Sequence, residues 1–443
     1  MDYGFALSLL EEALHYSTAD QTEVILQSGE HGLTRLANNS IHQNVAVANT
    51  SIHVRAVLGK RIGVATSNRW EGDSLRQLVN RAVEIARVSE PNSDFHSLPA
   101  PEPINPTSIP DVPPECFTPE RRAQAAAQIV NSAQGNHLIA SGHVSTARES
   151  LAVANSLGVR AYHADAQGSV MAIMSSDSAS GFAVWDGRSL DDAPVEQLAG
   201  IAGGKCLHPA ETIALDPGAY TVILEPPAVA EMLAMLGIIG LGATAYQEDR
   251  SFMSGKIGAQ LVSAQVTLSD DAYHPSMLGA PFDYEGLPKQ VVPFFEHGVA
   301  KGIVYDSYTA KKEGKRSTGH ALPAPNPYGP LPMNLVLKAG ALSRDELLAG
   351  VSRGILVTRF HYVNIVHPKE TILTGMTRDG TFLIEDGAIT HPVKNLRFTQ
   401  SVLEALRQVT GIESRQSLIN QESIYCLVPA LRIEGFHFTS ATG

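Results

Sequence analysis

The chain has 443 residues, 44% of them apolar and 18% charged, a balance that excludes a disordered chain and is too long for one ordinary core. Two or three domains are therefore expected. Lys and Arg number 33 against 45 Asp and Glu, a formal charge of −12, which argues against a protein that grips a nucleic-acid backbone directly.

In chain order, MDYGFALSLLEEALHY carries Asp2, Glu11 and Glu12 and no basic segment. It reads as an amphipathic helix over 3–16, with Leu9, Leu10 and Ala13 on its apolar side, and not as a signal peptide. A β-meander is expected next: a short strand at 23–27, a turn at 29–32 and a return at 33–36. Over 50–57, Ile52, Val54 and Ala56 alternate with His53, Arg55 and Val57, and Gly59-Lys60 turns the chain into a strand at 62–66. A helix over 74–88 closes the unit. Residues 91–119 hold nine prolines without periodicity and read as a linker.

A helix at 119–133, a second meander from 144 to 184 and a helix at 195–206 follow. Asn155-Ser156-Leu157 echoes Asn39-Ser40-Ile41, the trace of an internal duplication. From Gly218 the texture changes. A buried strand at 220–224 leads straight into PPAVAEMLAMLGIIGLGATAY, the longest apolar run, whose single charge is Glu231. A helix apolar all round is normally buried in a core or an interface. Strands are expected onward to about 334, with hairpins turning at Glu296-His297-Gly298 and Glu385-Asp386-Gly387, and helices at 342–353 and 402–409. Domain boundaries are set at 1–90, 91–118 (linker), 119–216 and 217–443. The fold class is α+β and two-lobed, with helix-flanked antiparallel meanders in the first lobe and a strand-rich second lobe around a buried apolar helix.

Motifs for phosphate binding (GxxxxGK[ST], GxGxxG), for a serine nucleophile elbow (GxSxG) and for HExxH zinc ligation do not occur. Cys116, Cys206 and Cys426 form no CxxC pair, so neither a disulfide framework nor a cysteine-based zinc site is suggested, and a reducing cytoplasm fits. Lys311, Lys312, Lys315 and Arg316 cluster, and read first as a solvated face. Of the 16 histidines, His361 and His367 lie six apart on an extended segment, where both could face one ion; ordinary strand polarity is the simpler reading. His320, in STGHA, has the residue type of an acid or base near neutral pH, or of a hydrogen-bonding structural histidine.

Several stretches together resemble the TldD/PmbA family, in its PmbA (TldE) branch: RLANNSIHQN (35–44), VRAVLGKRIGVATS (54–67), NSLGVRAY (155–162), FDYEGLP (282–288), FFEHGVAKGIVYDSYTAKKEGKRSTGHA (294–321) and the run 354–398. The resemblance covers about 20–435. It implies a cytoplasmic two-lobed protein, usually dimeric, acting in pairs on peptides or unfolded proteins. In such a pair a TldD subunit carries zinc on an HExxxH helix, where two imidazoles hold the metal and the glutamate polarises the attacking water. The histidines stand roughly 140° apart on an ideal helix. The matching stretch here, AVAEMLAMLGIIGLG, has no histidine, and Cys426 falls after the position of the family's late cysteine ligand.

The expectation is therefore a TldE-type subunit that binds no cofactor itself and leaves zinc to a TldD-like partner, as a hetero-oligomer or a homodimer. Ser317, Thr318, Gly319 and His320 are its candidate peptide-binding residues. His320 is the weak catalytic candidate, and His361 and His367 are the weak metal candidates. Neither membrane nor direct nucleic-acid contact is expected, despite the family's older label, modulator of DNA gyrase. Two rivals stand beside it: a self-sufficient hydrolase using His320 or the His361/His367 pair, and a non-enzymatic peptide-binding or regulatory module.

Overall fold

The computed structural model describes residues 1–105 and 112–441. Its first lobe repeats one unit twice. Helix α1 (Tyr3–Tyr16), strands β1 (Gln21–Ala37), β2 (Ser40–Leu58) and β3 (Arg61–Ser67) and helix α2 (Asp73–Val88) form the first copy. Helix α3 (Pro119–Gly135), strands β4 (Ile139–Asn155), β5 (Arg160–Ser175) and β6 (Ser180–Gly187) and helix α4 (Val195–Cys206) form the second. The copies join edge to edge, β1 antiparallel to β4, giving one six-stranded sheet in the order β3-β2-β1-β4-β5-β6. Asn39 and Asn155 stand at the first turn of each copy, the one tied to the start of β4 and the other closing its own turn. Asn39 Oδ1 accepts from Ala140 N, and Asn155 Oδ1 accepts from Leu157 N and Val159 N. The echo in sequence marks a repeat in topology.

All four helices lie on one face of this sheet, as period-2 alternation requires. Val24, Leu26, Ile52, Val54 and Ala56 pack under α1 and α2; Val144, Val170, Ala172 and Met174 pack under α3 and α4. The turn expected at 29–32 is not there. β1 runs straight through it to Ala37 and turns at Asn38-Asn39, both with positive φ. Gly32 is required by contact and not by a turn: a Cβ there would stand 2.2 Å from Nη1 of buried Arg122. That guanidinium donates to Phe117 O and Thr146 Oγ1, which compensates its burial.

The described part of the proline-rich segment is packed, with Phe95 and Leu98 buried and Asn155 Nδ2 donating to Pro99 O. Residues 106–111 of the expected linker lie outside the described residues.

In the second lobe β7 (Gly218–Leu224) runs into α5 (Pro226–Gly240), α6 (Ala243–Gln247), β8 (Leu268–Asp270), β9 (Val292–Glu296), β10 (Val299–Ala300), α7 (Ser307–Lys312) and β11 (Asn334–Leu337). Then come α8 (Arg344–Ala349), β12 (Arg353–His367), β13 (Ile372–Glu385), β14 (Ala388–Pro392), β15 (Leu396–Ser401), α9 (Val402–Arg407), β16 (Val409–Gln421) and β17 (Ile424–Ala441). Strands β7, β12, β13, β15 and β17 pair in a closed ring, because β7 is parallel to β12 and antiparallel to β17. The hairpin turns fall where expected, at His297-Gly298 and Asp386-Gly387, all four residues with positive φ.

Two expectations are corrected. The segment 248–333 is mostly loop with three short strands and the helix α7, its backbone satisfied by irregular backbone bonds such as Gly258 N to Ala300 O together with side-chain acceptors such as Asp283. The helix at 342–353 shrinks to Arg344–Ala349 between its Ser343 capping box and Gly350.

Helix α5 is buried on nearly every side, and its apolar residues join the main core. The long apolar run breaks at Leu241-Gly242, so α5 has 15 residues. Among the described residues no helix is long and apolar enough to cross a membrane.

Candidate functional site

The uncovered face of the six-stranded sheet looks across a cavity of about 800 Å³ toward the second lobe. Alternation places the odd residues of β4 and β5 there. His163, Asp165, Gln167 and Ser169 on β5 and Glu149 on β4 line it, opposite Phe282, Asp283, Tyr284, Lys289, His320, Asn334 and Tyr425.

The lobes are riveted around this cavity. Phe282 of FDYEGLP inserts among Ile25, Val153, Val159 and Ala161. Gly286 (φ +73°) lies so close to the sheet that a Cβ would stand 2.4 Å from Val159 Cγ1. Arg55 bridges Glu23 of the first lobe (2.7 Å) and Glu285 of the second (3.2 Å). Burial pushes the Glu23 carboxyl up to about 7, against the pull of Arg55. Arg188 pairs with Asp165 (2.6 Å), whose other oxygen accepts from Gly279 N, and Asn420 N donates to Asp186.

On the second-lobe wall His320 has no exposed side chain. Its Nδ1 lies 2.9 Å from Thr318 Oγ1 and its Nε2 3.1 Å from Asp270 Oδ1. Asp270 Oδ2 accepts from the Met333 and Asn334 N–H groups, and Lys289 Nζ donates to Asn334 Oδ1 at 2.6 Å. Burial would raise Asp270, but the facing His320, Lys289 and the Asn334 N–H outweigh it and hold the carboxyl below its usual range. The neighbouring Asp283 goes the other way: burial and the Glu285 charge raise it well above, although three backbone N–H groups oppose them. Burial lowers the Lys289 ammonium.

Of the four loop residues expected at a cleft, His320 reaches the cavity wall. Ser317 and Thr318 donate to Tyr305 O, and a Cβ on Gly319 (φ +73°) would meet Pro288 O at 2.2 Å. These three hold the loop in place, away from the lining. His361 and His367 are not brought together. The two residues pair with Met376 and Ile372 through two β-bulges, four residues apart on β13. They are therefore about 13 Å apart along the strand, beyond what two imidazoles sharing one zinc can bridge. The basic cluster is largely paired: Lys312 with Asp94, Lys315 with Glu313, Arg316 with Glu102.

Residues 217–440 match the model of the PmbA/TldA metallopeptidase C-terminal domain, and 22–86 match domain 1 of the same family. The chain belongs to the PmbA/TldD family. Among relatives of this family, the metalloprotease TldD homolog of Haemophilus influenzae is 29% identical over 40% of this chain and 37% of its own length. The metalloprotease PmbA of Escherichia coli O157:H7 is 24% identical over 44% and 41%. The matched part thus spans well under half of these relatives. The solved structure of TldE from Thermococcus kodakarensis has the same fold, with a TM-score of 0.88 at 20% identity, covering 98% of this chain and 100% of that one.

A PmbA/TldD metallopeptidase implies zinc, and the donors can be tested for it. Helix α5 offers no histidine, and its one ionisable side chain is Glu231. Burial pushes that carboxyl up to about 7, with Arg359 opposing and Glu422 adding to the shift. Cys426 lies against α5, its Sγ 3.7 Å from Ala230 O, and burial pushes the thiol far above its usual range. A zinc ligand must be a deprotonated thiolate, a neutral imidazole or a carboxylate, and α5 with Cys426 does not supply such a set. Among the described residues no group of three or more His, Cys, Asp and Glu side chains is placed to hold a metal ion. The glycines of this stretch serve packing: a Cβ on Gly240 would meet Phe252, and one on Gly242 would meet Pro330 O at 2.2 Å.

Sequence reasoning missed the sheet-side residues of the cavity. Their signal was present as polar residues at every second position, His163, Asp165, Gln167 and Ser169, opposite an apolar or small face.

Proposed function

We propose that this chain is the TldE-type subunit of a two-component metallopeptidase that acts on peptides or unfolded proteins. A TldD-like partner supplies zinc and the water-activating glutamate, and this chain supplies a wall of the peptide path. The observation that carries the reading is α5. The helix that bears ligands in a zinc subunit is here an apolar core helix, and its neighbouring thiol is buried. The cavity supports the peptide role, since it is deep, lies between two lobes and is lined by polar groups and aromatic rings. An extended peptide lying there meets the side chains of the sheet face and not a strand edge, because β1, β4 and β5 are each paired on both sides. Cys116, Cys206 and Cys426 are all free and buried, which suits a cytoplasmic protein.

Zinc analysis of the purified chain, followed by casein digestion with and without a TldD-like partner, tests the division of labour. Sub-stoichiometric zinc and activity only in the mixture are expected. Stoichiometric zinc with activity in the chain alone overturns it. If no TldD-like protein co-purifies and no mixture cleaves, a peptide-binding module replaces it.

The close His320–Asp270 pair favours one second reading, a hydrolase centred on His320. Unchanged activity of His320→Ala in the reconstituted pair removes it.

A further inference from the structure

The lining of the cavity carries an excess of acidic groups. Across both walls it has Glu149, Asp165, Asp186, Asp283 and Glu422 against Lys289 and four histidines, with no arginine among the described lining residues. Several of these are already committed. Lys289 donates to Asn334, Asp165 is paired with Arg188, Asp186 accepts from Asn420 N, and Asp283 accepts from three backbone N–H groups.

Glu149 is different. It is half-exposed on β4, and no Lys or Arg pairs with it among the described residues; its neighbour is His31, 3.5 Å away. It is also held in position. Gln167 Nε2 donates to Glu149 Oε2 at 2.8 Å, and Gln167 Oε1 accepts from Tyr425 OH at 2.9 Å. Tyr425 and Tyr284 both line the cavity. After burial, the Glu149 charge is the next cause that raises both phenols, so this carboxylate acts on both rings.

A second observation comes from His163 on the same wall. It is nine-tenths buried, and its Nε2 has no hydrogen-bond partner, the Asp165 carboxylate standing 4.0 Å off. A buried polar atom left unpaired costs free energy unless something meets it.

The geometry points to a subsite for a cationic side chain, a guanidinium or ammonium, held by Glu149 and flanked by Tyr284 and Tyr425. The inference rests on the peptide-path reading for the source of that side chain, namely Lys or Arg of an extended peptide. A carboxylate fixed by a neighbouring amide can take a charge-assisted, bidentate guanidinium. Aromatic rings beside it add cation–π attraction. With no Lys or Arg paired to Glu149 among the described residues, an acidic peptide is repelled by Glu149 and Glu422 at low salt, so the site selects by sign as well as by fit.

Calorimetric titration of the full chain tests this with two blocked tripeptides, Gly-Arg-Gly and its neutral isostere Gly-citrulline-Gly. The arginine peptide is expected to bind about tenfold more tightly at low salt, with the difference shrinking at high salt and vanishing in Glu149→Gln. Glu149 is half-exposed, so that variant is expected to melt with the wild type. Equal binding of the two peptides, binding of neither, or a preference that survives Glu149→Gln overturns the subsite. Cleavage is scored separately in the reconstituted pair. A cation preference without cleavage overturns the peptidase reading and keeps the subsite. Equal cleavage of basic and acidic peptides by the pair keeps the peptidase reading and overturns the subsite.

Discussion

The two walls of the cavity are built on opposite principles. The first-lobe wall is a regular sheet face on which every second residue of long strands is delivered to the cavity by alternation alone. The second-lobe wall is loop, fixed by individual buried ties such as Asp270 with the Met333 and Asn334 N–H groups and Asp283 with three N–H groups. On the sheet Glu149 stays open to a ligand, whereas Asp165 and Asp186 are tied to Arg188 and Asn420 N, and the polar groups of the loops are consumed in holding the loops. The residues of α5 belong to the main core of the second lobe. Binding chemistry thus sits on the scaffold that needs no polar ties of its own.

Five variants can break or sharpen this contrast. Phe282→Ala removes the ring that rivets the loop wall to the sheet. It is expected to cost about 3–5 kcal/mol, and a loss below about 1 kcal/mol in denaturant unfolding would show that the seam is not a core. Arg55→Ala leaves Glu23 and Glu285 buried without their cation, at about 3 kcal/mol. That loss has a pH signature. The Glu23 carboxyl is raised to about 7, so its contribution is fully present below its unfolded value near 4.5 and is lost as the pH rises through about 7. Glu23→Gln should flatten that fall, and an unchanged stability profile between those pH values refutes the assignment.

Glu231→Gln tests the helix itself. Its carboxyl is also raised to about 7, and the sign is the same: the proton-linked stability is complete at low pH and lost on ionisation. The variant is therefore expected to gain about 1 kcal/mol at mildly alkaline pH and nothing near pH 4 to 5. A loss at alkaline pH would mean that the carboxylate has a partner worth keeping. Arg316→Ala, which breaks an exposed pair with Glu102, should leave the unfolding midpoint where it is, as rim charges do.

Much of this architecture was legible where one period governs. Ile52-Val54-Ala56 under the helices, the Gly59-Lys60 turn and the Asp386-Gly387 hairpin follow from local rules. The turn read into Gly29–Gly32 failed because a glycine can serve a distant guanidinium as well as a bend. Between 248 and 333 some backbone groups are held by side chains from far along the chain, such as Asn334 N by Asp270 and Ala321 N by Asp283, and no short window of sequence contains both partners. The cavity residues were missed for a related reason. Polar alternation on β5 looks like a solvent face until the second lobe is known to stand over it.

The edge-to-edge repeat also dictates when the molecule can fold. Glu23 pairs with Asn155, and Gly218 at the start of β7 pairs with Phe438. Each lobe's sheet is therefore closed by a strand made long after its first one, and such distant pairings are slow because loop entropy is lost before any contact repays it. During synthesis the first meander waits with the β1 edge open until β4 has emerged, and the ring of the second lobe closes only with the last strand. A nascent chain of this protein carries unpaired strand edges for most of its time on the ribosome, the condition under which chains look to chaperones.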